Sequence, residues 1–450
     1  MTKYLFNTEI NIKLKKNDLF FFSFIFIFVL SLIIAKADLL GSLSLIFVAL
    51  ITFYFSKYYK SLATILYVAL CVRLITIFFG NFLVILPDSW GDATWFELNA
   101  WQMSQDGFFT VFDKFPSDKS SLYISWILAL IYSLTDRSVI MLQSISLFFG
   151  IGSVLLGVRL ASKIWNEKIS IKVGWILALY PTLILYSCLV LREAYIWFFL
   201  LVGVYGIVSW FKDGGFKAVI IIIIGFFGAT FFHGGMFVGG FIFLCIVIIT
   251  SFFETIKKLK YFKISISSLT VLSLSLIMTV YLLSISNTIP KIGSIIQIFD
   301  FEIIIEEISN RNINRAAFPE WTIPKTTIEL IYKAPIRILY FMFSPFLWDI
   351  TKLSHLFGFF DGTFFLIMFI LVIKNIKFIW SDRILRTIFI ILVSYFVLYG
   401  LSTGNFGTGL RHRTKFIIIS ILLVAPWIPK LVFNKKKRNT NNKNYKKFDV

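Results

Sequence analysis

Residues 174–210 read GWILALYPTLILYSCLVLREAYIWFFLLVGVYGIVSW, about 37 mostly apolar positions interrupted by one proline and one arginine–glutamate pair. As a single helix this stretch would reach roughly 55 Å, whereas the hydrocarbon layer is ~30 Å thick, so two spans must share it and the turn must fall near its middle. That places Arg192 and Glu193 at a membrane boundary, with Pro181 loosening the helix before them. A charge at the bilayer midplane costs roughly 2.5–3.5 kcal/mol on insertion scales, so each of the two needs either water or a use. Adjacent helical residues diverge by about 100°, so they are not partners for each other and face different groups.

The same reading extends along the chain. Of 450 residues, 58% are hydrophobic and 15% charged, and the apolar residues fall in runs long enough to span a bilayer. The expected fold is an all-α integral membrane protein with about twelve transmembrane helices, near 19–35, 39–56, 62–86, 139–161, 172–189, 193–210, 217–232, 236–253, 264–286, 358–376, 385–401 and 415–433. The amino-terminal stretch mimics a signal peptide, but its long apolar core reads as a retained first helix. With Lys13, Lys15 and Lys16 on the cytoplasmic side, the lysine clusters of the other inner loops and of the tail fall on that side too, so both termini are expected inside. Residues 1–433 then form one transmembrane domain, and 434–450 a basic, disordered cytoplasmic tail. The segment 122–134 is too short to cross and reads as interfacial or re-entrant. Two long outer segments remain, 87–138 and 287–357, both rich in the residue types that carry function.

The formal charge of +20 does not indicate nucleic acid, because the cations sit in short loops and the tail and no basic recognition motif accompanies them. Cys71, Cys188 and Cys245 lack CxxC spacing, and His233, His355 and His412 lack paired-ligand spacing, so the sequence supports neither a disulfide framework nor a dedicated metal site. Arg73, inside a span, either pairs with a carboxylate on another helix or snorkels to the boundary.

Candidate chemistry gathers at the outer boundary. Two readings of the central pair stand: Arg192 snorkels to lipid headgroups while Glu193 sits in water as a helix-start acid, or the two line a cavity as a phosphate-binding cation and an acid. The first outer loop adds Asp88, Asp92 and Glu97 among Trp90, Trp95 and Trp101, a composition suited to an amphipathic helix on the membrane surface. Asp92 and Glu97, five apart, do not share a helical face well. At the far end of the chain, STGNFGTGLRHRTKF (402–416) places Arg411, His412 and Arg413 after three glycines, where backbone amides and guanidiniums can surround a phosphate.

At these residues the chain resembles the bacterial branch of the GT-C membrane glycosyltransferases, which use polyprenyl-linked sugars. GDATWFELNAWQMSQDG (91–107) is similar to that family's first outer loop, ALYPTLILYSCLVLREAYIWFF (178–199) to its helix pair with an acid at the outer turn, APIRILYFMFSPFLWDI (334–350) to a late outer segment, and GLRHRTKF (409–416) to the arginine-bearing start of a terminal helix. One departure is plain: the family's first-loop aspartate follows one span, and here it follows three.

The resemblance implies a GT-C-like fold with juxtamembrane helices. It also implies transfer of a sugar from a polyprenyl (di)phosphate carrier to a glycan or lipid acceptor at the outer face of the inner membrane. Asp92 would take the proton from the attacking hydroxyl, and Arg411, His412 and Arg413 would hold the lipid phosphate with Arg192 assisting. Glu193 would orient the acceptor or hold a divalent cation with Asp92. An O-antigen-type repeat-unit polymerase is the nearest alternative. A lipid-linked sugar flippase is the next, although it would want its charges along the midplane. The transfer reading requires Asp92, Glu193 and Arg411 to meet in one hollow.

Overall fold

The computed structural model describes residues 16–34, 38–117, 120–259, 301–311 and 317–429, with the single positions 271, 273 and 276. In chain order the helices are α1 (Lys16–Ile34), α2 (Leu39–Tyr58), α3 (Ala63–Phe82), α4 (Asp92–Ser104), α5 (Phe108–Asp113), α6 (Tyr123–Tyr132), α7 (Val139–Ile164), α8 (Glu167–Leu179), α9 (Pro181–Tyr186), α10 (Glu193–Lys212), α11 (Phe216–Phe232) and α12 (Phe237–Leu259). Then follow α13 (Phe301–Arg311), α14 (Thr327–Phe343), α15 (Leu353–Lys374), α16 (Ile376–Ser381), α17 (Arg383–Ser402), α18 (Phe406–Thr414) and α19 (Ile417–Val424). Among the described residues the only β pairing is one isolated bridge, Ala317 to Asn405.

Eight helices among the described residues are long and apolar enough to cross a membrane, which makes this a multi-pass helical membrane protein. The other four expected spans take different forms. Span 264–286 lies almost wholly outside the described residues, and the tail 434–450 lies wholly outside them. Span 217–232 is the 17-residue α11. Span 415–433 is the eight-residue α19 followed by a short 3-10 turn, and 172–189 is a broken pair of helices.

That break has a clear cause. Pro181 opens α9 and has no N–H, so the Leu177 carbonyl loses its helical donor. Arg73, reaching across from α3, replaces it: Nη2 donates to Leu177 O (3.4 Å), Nη1 to Ala178 O (3.0 Å) and to Ala69 O (3.0 Å), and Nε to Ser187 Oγ (2.9 Å). Neither reading of Arg73 from sequence holds, because it neither meets a carboxylate nor snorkels. It is a buried clamp on carbonyls that proline leaves open. After Tyr186 the chain turns through residues 187–192, and α10 starts at Glu193.

Segment 122–134 is the ten-residue α6, which lies against α4 rather than crossing. Ser125 Oγ donates to Phe96 O (3.0 Å), and Trp126 Nε1 ties α6 to Val111 O of α5 (2.7 Å). α10 and α11 pack closely because glycines face each other, a Cβ on Gly225 falling 2.0 Å from the Gly203 nitrogen.

The bundle has two chemically distinct ends. At one, Lys163 meets Asp213 (2.5 Å) and Ser209 (2.9 Å), Lys172 donates to Ile428 O (2.9 Å), and Lys57 pairs with Asp18. At the other lie the starts of α4, α7 and α10 and the loop between α17 and α18. This second end carries the carboxylates and arginines singled out in the sequence.

Arg73→Ala would strand the Leu177 and Ala178 carbonyls in an apolar interior, at roughly 1–3 kcal/mol each. In a Cys71→Ala, Cys245→Ala background, the buried Cys188 thiol reports unfolding by maleimide labelling. Labelling is expected at a lower denaturant midpoint than in the parent, equivalent to a stability loss of about 2–6 kcal/mol. An unchanged midpoint would remove Arg73 from its clamping role.

Candidate active site

Three segments far apart in sequence converge on Arg411. Its Nη1 donates to Asp92 Oδ2 (2.5 Å) and its Nε to Glu193 Oε1 (2.6 Å). Local structure aims each partner. Gly91, at φ 96°, turns the chain so that Asp92 becomes the first residue of α4. Glu193 is the first residue of α10, where a helix start favours an acid. Asn405 caps α18 by accepting from Thr408 N (2.7 Å), which fixes the phase of the helix that carries Arg411.

The two carboxylates differ in setting. Glu193 is 1% exposed and Asp92 54% exposed, so the first is walled in by the bundle and the second opens to the surroundings. Glu193 therefore does not sit in water. Arg192 is half-buried, with its guanidinium carbon 5.0 Å above the Phe96 ring of α4. Burial works against the Arg411 charge, but Glu193 and Asp92 outweigh it and hold this guanidinium above the ordinary arginine pKa.

The cluster is incompletely satisfied. Arg192 Nε and Nη1, Arg411 Nη2, Glu193 Oε2 and Trp197 Nε1 are buried without a hydrogen-bond partner among the described residues. Buried polar atoms are paired in the great majority of cases, and an unpaired one costs roughly 1–3 kcal/mol, more when charged. Three unmet guanidinium donors at one spot thus mark a place for acceptor oxygens. Lys415, also buried, sits 5.2 Å from the centre of the Tyr399 ring and acts electrostatically on Glu193. Arg192, Arg411 and Lys415 bring three cations to this region, against Asp92 and Glu193 within it and Asp88 beyond Tyr186.

Arg413 has a different fate from the one expected. Two residues on from Arg411, it points to the other side of α18, where Nε meets Asp361 (2.7 Å), Nη2 donates to Gly358 O (2.9 Å), and Nη1 faces the carbonyls of Phe341, Met342 and Ser344. It is fully buried and its donors are spent, so it has none left for a lipid phosphate. From Phe406 the glycine-rich run is helix α18, with Thr408 N capped by Asn405 and Gly409 N bonded to Asn405 O. His412 lies near Thr403 Oγ1 (3.4 Å) and edge-on to His233 (5.6 Å between ring centres), while His233 Nδ1 is held by Tyr399 OH at 2.7 Å. This places His412 against the Tyr399 and His233 rings, beside the cluster.

Glu97 turns away from the site, as its spacing from Asp92 implies. It accepts both Arg137 Nε (2.9 Å) and Nη2 (2.8 Å), together with Tyr132 OH (3.0 Å). Asp88 accepts from Tyr186 OH (2.8 Å) and pins the segment before α4 to α9. His355 is held by its own turn, 3.2 Å from Asp349 O. A divalent cation shared by Asp92 and Glu193 does not fit this arrangement, because the Arg411 guanidinium bridges the two carboxylates. No group of three or more His, Cys, Asp or Glu side chains gathers as a ligand set among the described residues.

Phe96, Trp197, Tyr399 and Lys415 were not singled out in the sequence. The first three are single aromatic residues in apolar runs, and Lys415 adjoins a run of basic residues. Comparison with known proteins returns no matching family model, no matching curated protein and no matching solved structure.

The two arginines of α18 separate by experiment. Arg413→Lys, with one ammonium in place of a fork serving five acceptors, is expected to cost roughly 3–5 kcal/mol and to collapse the yield of monodisperse protein on size exclusion. Arg411→Lys keeps a charge beside Glu193 and is expected to elute as the parent does. The reverse pattern would exchange their roles.

Proposed function

We propose that the protein is a membrane glycosyltransferase that moves a sugar from a polyprenyl (di)phosphate carrier to a hydroxyl of a glycan or lipid acceptor. In this reading the lysine end faces the cytoplasm with both termini, and the cluster lies at the outer face of a bacterial inner membrane, in the assembly of cell-surface polysaccharide. The observation that carries it is the convergence of Asp92 and Glu193 on Arg411 beside the unpaired donors of Arg192 and Arg411.

The chemistry follows from that grouping. A donor phosphate brings the acceptor oxygens that Arg192 and Arg411 lack, and the two guanidiniums, with the Lys415 ammonium near Glu193, are placed to receive its negative charge. In a water-poor site such contacts are far stronger than in bulk water. As the phosphate engages Arg411, the Asp92 carboxylate is released from its ion pair at the exposed side of the cluster. The acceptor oxygen then attacks the anomeric carbon, and the bond from that carbon to the carrier's phosphate oxygen breaks with its electron pair going to the phosphate. The acceptor proton passes to Asp92. Glu193, buried and still held by Arg411 Nε, keeps the guanidinium in place throughout.

Positioned general bases contribute roughly 10²–10⁴-fold, which sets the scale of the test. Asp92→Asn is expected to insert normally and to lower glycan assembly at least about 100-fold in cells that depend on the plasmid copy. Near-parental assembly would remove Asp92 from the reaction. Arg411→Ala is expected to lose turnover and to bind a polyprenyl phosphate in nanodiscs at least tenfold more weakly than the parent. Unchanged binding would return this cluster to a purely structural role.

A further inference from the structure

On the face of α4 turned away from Asp92, a cavity of about 330 Å³ opens between α3, α4 and α7. Its polar wall is made by Asn81, Thr94, Glu97, Arg137 and Gln143, and Trp90 stands at its rim, 72% exposed. Asn81, Arg137 and Val139 also line a shallower trough of about 350 Å³ that continues toward Asp38. Each volume is at the lower end of the ~300–1,000 Å³ of small-molecule pockets. Together they form an elongated channel rather than a round hole.

The chemistry of the walls is unlike that of the arginine cluster. Glu97 and Arg137 cancel each other through two hydrogen bonds, so the deeper hollow carries no net charge, and Asp38, at the far end of the trough, is engaged in capping α2 by accepting from Gly41 N. Asn81 Nδ2 is used on Gln143 Oε1 (2.8 Å) and Ile77 O (2.8 Å). That leaves Asn81 Oδ1 as an acceptor and Gln143 Nε2 as a donor, with no partner among the described residues. One neutral acceptor, one neutral donor and an exposed indole suit a ligand made of hydroxyls and C–H faces, and suit a phosphate poorly. The back wall includes Leu189 and Val190, from the same turn that delivers Arg192 and Glu193 to the cluster. α4 thus lies between this hollow and the arginine–carboxylate cluster, while the turn 187–192 borders both.

We infer that this channel receives the end of an uncharged, hydroxyl-rich oligosaccharide. That the sugar is the acceptor rests on the transfer reaction proposed above; that a sugar binds here does not. Thr94 is exposed on the rim and outside the ion cluster, so Thr94→Trp fills the channel with little demand on the fold. Gln143→Leu removes the unpaired donor from the opposite wall.

The test is saturation-transfer NMR on the full chain in nanodiscs. The probe is the water-soluble oligosaccharide released by mild acid from the source cells' own surface polysaccharide, after phosphatase treatment. The parent is expected to show saturation transfer, reduced at least fivefold in Thr94→Trp and in Gln143→Leu and retained in Arg411→Ala. No transfer in the parent, or equal transfer in Thr94→Trp, overturns the inference. Transfer seen only with fragments that keep their phosphate also overturns it, by assigning the channel to an anion. If Arg411→Ala keeps full turnover while Thr94→Trp still abolishes glycan binding, the channel stands and the proposed phosphate chemistry falls.

Discussion

A buried guanidinium needs acceptors for its donors, and Arg411 takes carboxylates from two places at once. Its ion pairs with Asp92 and Glu193 join the start of α4, the start of α10 and the short α18 at a single point. Much of this end of the molecule follows from that requirement. The turn 187–192 must end where Glu193 can face inward, α4 must begin at Asp92, and α18 must be capped so that position 411 faces both. An exposed ion pair is worth about 0–1 kcal/mol, whereas breaking a buried one costs roughly 3–5. Glu193, the buried partner, thus anchors the arginine, and half-exposed Asp92 is the partner that can be exchanged.

The neighbouring Arg413 shows the same physics put to another use. Asp361 neutralises it and also accepts from Tyr180 OH (2.7 Å) and Thr182 Oγ1 (3.2 Å), the residues on either side of Pro181. The helix break at Pro181 is therefore held twice, from α3 by Arg73 and from α15 and α18 through the Asp361–Arg413 pair. A rigid break is what allows a 13-residue and a six-residue helix to stand in for one span and still deliver the following turn to a fixed place. Arg413 supports the platform, and Arg411 works on it.

How much of this was legible in the sequence depended on whether a residue's cost was visible. Arg192 and Glu193 stood out because charge in an apolar run is expensive, and the need for two spans in 174–210 placed the turn correctly at α10. The spacing of Asp92 and Glu97 separated them, and they do face opposite sides of α4. The pattern RHR at 411–413 did not reveal that its two arginines diverge, since that depends on the helical phase set by Asn405. Glycines at 404, 407 and 409 suggested a loop, but a capped helix tolerates two of them. Arg73 was misread because its partners are backbone carbonyls, which no side-chain pattern announces. Short or broken helices were counted as full spans for a related reason: hydropathy measures apolar length, while a break stabilised from outside the segment leaves that length unchanged.

The unsatisfied donors give the site its direction. A cluster evolved only for stability would be expected to close its hydrogen bonds, as Arg413 and Arg73 do a short distance away in the same fold. Here Arg192 is stacked on Phe96 with Nε and Nη1 unmet, and Arg411 leaves Nη2 unmet although two carboxylates are at hand. An anion arriving from outside would complete the bonds only while it is present. In the transfer reaction proposed above, that arrival also loosens the shared Arg411's hold on Asp92, so occupancy by the anion and exposure of a free carboxylate become one event. The proposed base then stays masked until the charged substrate is in place, which is the order of events that transfer to an acceptor, rather than to water, requires.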